Sequence, residues 1–168
     1  KHTDSYVHEL GHQIDYMLAD GLNLKEYFLS ETFEFREISN RYKRIVRSQI
    51  NKLDTKNPNY IEWHSKRKFN ALYYFQPTEI FARCYEIYLS QLELNNSLMQ
   101  TNEDLAKSPH YTLDKEFVKY ITPFFKKYIK KLEKLYPIPS PPTFEPLKES
   151  TDDEDIDENI KVDFSASG

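Results

Sequence analysis

The chain has 168 residues, 39% of them hydrophobic and 15% aromatic, with a formal net charge of −4 and a single cysteine, Cys84. That is the length of one domain, with enough apolar material to build a core. One cysteine excludes an internal disulfide framework, no run approaches the roughly 20 apolar residues of a membrane span, and no signal-like segment opens the chain, so a reducing cytoplasm is the expected setting.

The charge is unevenly spread. Residues 137–168 hold five of the nine prolines, nine acidic residues and two basic ones. With −7 in that stretch and −4 overall, residues 1–136 carry +3. We therefore expect a folded domain over 1–136. Over 137–168 we expect a Pro-rich and then acidic tail or linker, disordered because it has too little apolar surface to bury. The chain opens at Lys1 without Met and reads as a piece of a longer polypeptide.

The first expected element is a helix. Thr3, Asp4 and Ser5 are cap-forming residues, Val7, Leu10, Ile14, Met17 and Leu18 make an apolar stripe, and Asp20-Gly21 is a stop. Inside it lies His8-Glu9-Leu10-Gly11-His12. Residues four apart on a helix sit one turn above each other, so His8 and His12 aim their rings at one spot, as two nitrogen ligands of a zinc ion must. Glu9, beside that spot, is placed to act as a base toward a water whose pKa the metal has lowered. Gly11 disfavours a helix interior by roughly 1 kcal/mol against Ala, which implies a close neighbour. A zinc site needs a third protein ligand. The metzincin extension would need Gly and His where this chain has Asp15 and Leu18, so that ligand must come from farther along. Asp15 either accepts the far ring N–H of a ligand histidine or is a surface acid.

Ile38, Tyr42, Ile45, Val46, Ile50 and Leu53 recur at helical spacing, predicting a helix over about 37–53 that Asn57-Pro58-Asn59 ends with turn chemistry. Its outer face carries Arg36, Arg41, Lys43, Arg44, Arg47 and Lys52. With no recognisable binding module, this reads as a solvated face and not a nucleic-acid surface. From Tyr60 to Phe75 the aromatics come thickly without period, which suggests irregular chain over a core or lining a cleft.

Gln76-Pro77-Thr78-Glu79 starts the second strong helix, with Pro in the first turn and Glu79 near the positive end of the dipole. Ile80, Phe81, Cys84, Ile87, Tyr88 and Leu92 form its apolar stripe. Glu79, Arg83 and Glu86 share a neighbouring face, and one of the two carboxylates is the natural third ligand. They stand roughly 10 Å apart along the axis, so only one can reach the ion. We assign Glu79, in the first turn beside the aromatic segment. Glu86, deeper in the helix, is left to pair with Arg83 or to orient a ligand histidine from the outer shell.

Farther on, 95–112 reads as polar loop and Leu113–Leu135 as a basic amphipathic helix kinked at Pro123. Its lysine face reads as solvated. His2, His64 and His110 are isolated, with no metal-ligand spacing.

The segment from His8 to Tyr16, followed by Pro77-Thr78-Glu79-Ile80-Phe81-Ala82-Arg83-Cys84-Tyr85-Glu86-Ile87-Tyr88, resembles the paired signature of the zincin-like metallopeptidase domain in large polyvalent proteins of phages and mobile elements. More distantly it is similar to the lethal-factor type of gluzincin. The resemblance covers roughly residues 3–94. It implies a mainly α-helical, zincin-like domain with one His-Glu-x-x-His helix and a second metal-ligand helix. It also implies zinc as cofactor, His8, His12 and Glu79 as its ligands, and Glu9 as the base. The distant relatives set an oxyanion-stabilising Tyr seven residues before the third ligand. Here that position is Leu72, with Tyr73 and Tyr74 adjacent, so the oxyanion role falls to Tyr73 or Tyr74, of which Tyr74 is the catalytic candidate. The families also set a substrate-binding edge strand before the metal helix, for which this chain has no room. The expected function is a zinc-dependent peptide hydrolase acting on a peptide or protein substrate or on its parent polyprotein, with no membrane or nucleic-acid partner. The alternative is a metal-binding but proteolytically silent interaction module of a phage or plasmid polyprotein.

Overall fold

A computed structural model describes residues 5–92 and 102–139. Seven α-helices are described: α1 (Tyr6–Gly21), α2 (Phe33–Asn51), α3 (Pro58–Trp63), α4 (Ala71–Tyr74), α5 (Pro77–Ser90), α6 (Asn102–Lys107) and α7 (Lys115–Leu135). A single 3-10 turn, Leu29–Glu31, lies between α1 and α2. The described residues contain no strand, so the protein is mainly helical.

Helices α1, α2, α3, α4 and α7 each begin where a side chain accepts a free backbone N–H of the first turn. Ser5 accepts from His8 N at 3.0 Å and so starts α1. Thr32 accepts from Phe35 N, and α2 therefore begins at Phe33, four residues before the position expected from its apolar period. Asn57 accepts from Asn59 N with Pro58 at the first helical position, so the triplet expected to be a turn is a helix start. Asn70 caps α4 through Leu72 and Tyr73 N–H. The aromatic stretch 60–75, expected to be irregular, thus contributes to two short helices and the turns between them. Likewise α6 lies in the stretch expected to be polar loop. Asp114 caps α7, which runs through Pro123 as one span.

Helix α5 is the centre of the packing. Every residue from Glu79 to Tyr88 is buried, and α1, α2 and α7 all pack against it. Phe81 meets Phe35 of α2 and Phe125 of α7 with ring centroids 5.4 and 5.3 Å apart. Each fully buried aromatic of this kind contributes about 1.5–3 kcal/mol relative to exposure. The most extensively packed helix pair is α1 and α5. A Cβ added to Gly11 would lie 3.0 Å from Ala82 Cα and 3.3 Å from Tyr85 Cδ1, so any larger residue would press the two helices apart by a few tenths of an ångström.

The basic face of α2 is partly occupied by aromatics. Arg41 stacks 3.6 Å from the Tyr120 ring centroid, and Arg47 lies 5.3 Å from that of Phe75. No described helix is long and apolar enough to cross a membrane. The described residues up to Pro137 form one compact unit, and the tail expected to be disordered falls almost wholly outside the described residues.

Candidate metal centre

The close approach at Gly11 lays the histidine face of α1 against the first turn of α5. His8 Nε2 stands 3.1 Å from Glu79 Oε2, and His12 Nε2 stands 3.2 Å from Glu79 Oε1. The three donor atoms all lie within 4.8 Å of one another. Two imidazole nitrogens and one carboxylate oxygen make up the ligand set of a three-protein-ligand catalytic zinc site, which leaves a fourth position for water or substrate. The residues present therefore fit a zinc ion. His8 and Glu79 are buried, while the His12 side chain is 26% exposed and Glu9 is exposed. The donor cluster is therefore enclosed at His8 and Glu79 and meets solvent at His12.

An outer layer holds the donors in place. Glu86 Oε2 lies 2.9 Å from His8 Nδ1, which leaves Nε2 as the ring atom facing Glu79. Glu86 is fixed in turn by Ser5, whose hydroxyl donates to Oε1 at 2.6 Å, and by the Tyr111 hydroxyl, which donates to Oε2. Buried Arg83 donates to Glu79 Oε2 at 3.1 Å, to the Tyr74 carbonyl at 3.1 Å and to Tyr42 Oη at 3.4 Å. Both carboxylates of the face read from the sequence are thus engaged: Glu79 toward the ligand atoms, Glu86 toward the back of His8.

The electrostatics follow from this enclosure. Burial works against a charge on His8, but hydrogen bonds to Glu79 and Glu86 and the field of both outweigh it, raising its pKa to about 9. Burial likewise opposes the charge on Glu79, yet its bonds to His12 and His8 and the nearby Arg83 hold the carboxyl far below its usual range. Burial and the adjacent Glu86 carboxylate keep the Tyr111 phenol neutral. Without a metal, a proton on His8 links the two carboxylates; two carboxylates, one imidazolium and one guanidinium then balance in charge. A buried cluster of this kind holds together only because each ion is paired and hydrogen-bonded.

Two of the expected site residues lie elsewhere. Tyr74 is only 4% exposed, its ring stacked 3.5 Å from the His110 ring centroid and 6.0 Å from that of Trp63. A group that stabilises an oxyanion must touch substrate, and this buried ring is packed against His110 and lies 4.6 Å from the Arg83 guanidinium carbon. Tyr73 is half-buried, with its ring centroid 5.8 Å from the Arg83 guanidinium. Asp15 is not a surface acid, and His12 acts on it only through its field, while its hydrogen bonds go to Ser30. It is fully buried, and its two oxygens accept from Ser30 N at 2.7 Å and Ser30 Oγ at 2.6 Å. This ties the 3-10 turn to α1 one helical turn beyond His12. Among the other histidines, His64 is exposed and packs on Tyr60, while His110 is buried in the aromatic stack. His2 lies outside the described residues.

Tyr111 is the contributor that the sequence did not reveal. It sits in a stretch without period, 25 residues past its partner Glu86, and only a lone tyrosine after Pro109-His110 marked it.

Comparison with known proteins finds no matching family model, no matching curated protein and no matching solved structure. What the site can do rests on its own chemistry: a two-histidine, one-carboxylate donor set, buried at His8 and Glu79 and partly exposed at His12, with an exposed carboxylate, Glu9, on the same helix.

Proposed function

We propose that the protein is a zinc-dependent peptide hydrolase of gluzincin type, with zinc held by His8, His12 and Glu79. The observation that carries this reading is the convergence of the two Nε2 atoms on both oxygens of Glu79, from helices that the sequence separates by some 70 residues. An ion there would act as a Lewis acid, bringing the pKa of a bound water to about 7 and polarising a scissile carbonyl. Glu9 projects from the same helix turn, is exposed, and has no role in holding the donors. It takes the proton of the attacking water and passes it to the departing amine nitrogen. Arg83 and Glu86 do not meet substrate. They keep Glu79 ionised and His8 oriented.

The test has two readouts. The chelator-stripped chain should take up one zinc per molecule, and the zinc-loaded chain should cleave members of a mixed-sequence peptide library. Glu9→Gln should abolish cleavage and leave the zinc content unchanged. Zinc uptake without cleavage of any peptide by the wild type would instead indicate a metal-binding interaction module. Absence of zinc uptake by the folded protein would overturn the reading.

A further inference from the structure

From Ser108 to Asp114 the chain forms no helix, yet it is held firmly by α2. Gln49 Nε2 donates to the carbonyl of Pro109 at 2.9 Å and to that of Tyr111 at 3.0 Å. Tyr42, fully buried, donates its hydroxyl to the intervening carbonyl of His110 at 2.5 Å. Three successive carbonyls are therefore bound by two side chains of one helix. Irregular backbone packed against a core needs such partners, because its polar groups have no ladder to pair with. The same Tyr42 hydroxyl accepts from Arg83, which holds Glu79. The segment delivers the Tyr111 hydroxyl onto Glu86 Oε2, the oxygen that also faces His8 Nδ1.

A glutamate has three rotatable bonds, so its contact with His8 alone would leave the carboxylate free to swing. Ser5 on one oxygen and Tyr111 on the other remove that freedom. We propose that Tyr111 is a positioning residue of the metal centre: it holds Glu86 so that His8 keeps its proton on Nδ1 and presents Nε2 to the ion. This role presupposes the zinc site proposed above. Outer partners of metal-bound histidines typically alter affinity about 10- to 100-fold.

The experiment uses the full chain, stripped of metal, and measures zinc affinity by competition with a chromophoric chelator and the visible spectrum of the cobalt-substituted protein. Tyr111→Phe keeps the ring and removes only the hydroxyl. It should weaken zinc about tenfold and shift the cobalt bands. Glu86→Gln should do the same, and the double variant should lose little more than either single one, since both act through one chain of bonds. Gln49→Ala, which leaves the hydroxyl but unties its backbone, should give a smaller loss in the same direction. A merely structural role for Tyr111 would lower the melting temperature and leave the cobalt spectrum and the affinity of the folded fraction unchanged. If the wild type binds zinc while Tyr111→Phe and Gln49→Ala both bind it within twofold and with the wild-type spectrum, the positioning role falls and the zinc site stands. If the wild type binds no zinc, both fall together.

Discussion

Gly11 in α1 faces the Cα of Ala82 in α5 so closely that a methyl group at residue 11 would come within 3.0 Å of that backbone atom. Intrinsic helix propensity alone predicts that Gly11→Ala stabilises the protein by roughly 1 kcal/mol. The contact predicts the opposite, because a backbone atom cannot turn aside as a side chain can, and overpacking in a core costs about 1–3 kcal/mol. Gly11→Ala should therefore lower the melting temperature. It should also weaken zinc, since separating α1 from α5 separates His8 and His12 from Glu79. A melting temperature equal to or above that of the wild type would show that the two helices do not depend on this approach.

Glu79 and Glu86 differ in what their loss should do. Glu79→Gln removes an anionic donor and should reduce zinc affinity by far more than 100-fold, while Glu86→Gln should stay within about 10- to 100-fold. Isothermal titration with zinc on both variants separates the roles. Equal losses would mean that the carboxylates are not divided between ligand and support.

Metal uptake should be coupled to a proton. With the His8 pKa raised to about 9, the metal-free site holds a proton there at neutral pH, and zinc must displace it. Apparent zinc affinity should rise about tenfold for each pH unit up to about pH 9, a proton release that titration in buffers of different ionisation enthalpy would register. The metal-free protein should behave in the reverse way. A group whose folded pKa lies above its unfolded value of 6.5 contributes stability that is fully present below pH 6.5 and lost as pH rises through 9. Melting in the presence of chelator should thus fall between pH 6.5 and 9. A flat profile would contradict the protonated bridge.

Asp15, one helical turn beyond His12 and within reach of its field, offers a second pH dependence. Burial raises its pKa from 3.8 to about 7 against the opposing pull of the two Ser30 bonds. The folded state therefore binds the proton more tightly than the unfolded one. The contribution is fully present below pH 3.8 and declines as pH rises through 7. Asparagine mimics the neutral acid, since its oxygen can accept from Ser30 N and its amide can donate to Ser30 Oγ. Asp15→Asn should be at least as stable as the wild type at pH 8, while Asp15→Ala, which strands the buried Ser30 N–H, should lose about 1–3 kcal/mol. Thermal melts of the three proteins at pH 5 and pH 8 test both statements.

The sequence by itself determined what is local. His8, Glu9 and His12 fall on adjoining faces of one helix because helical geometry over five residues admits no other arrangement, and Gly11 announced a close neighbour without naming it. Pro77 at the first turn announced α5, and the positions of Glu79 and Glu86 along it followed from the rise per residue. Helices α3 and α4 were not legible in the same way. At six and four residues they are too short to show a period, and their capping asparagines, Asn57 and Asn70, look like turn residues. Only the tertiary structure decided which carboxylate meets which histidine atom, because that depends on how α1 and α5 cross, and His8 and Glu86 are 78 residues apart. It likewise gave Asp15 to Ser30, buried Tyr74 against His110, and set Tyr111 behind Glu86. The physical reason is the same each time: a local pattern fixes the face from which a side chain leaves its element, while the group it meets is fixed by the register between elements, which no single segment encodes.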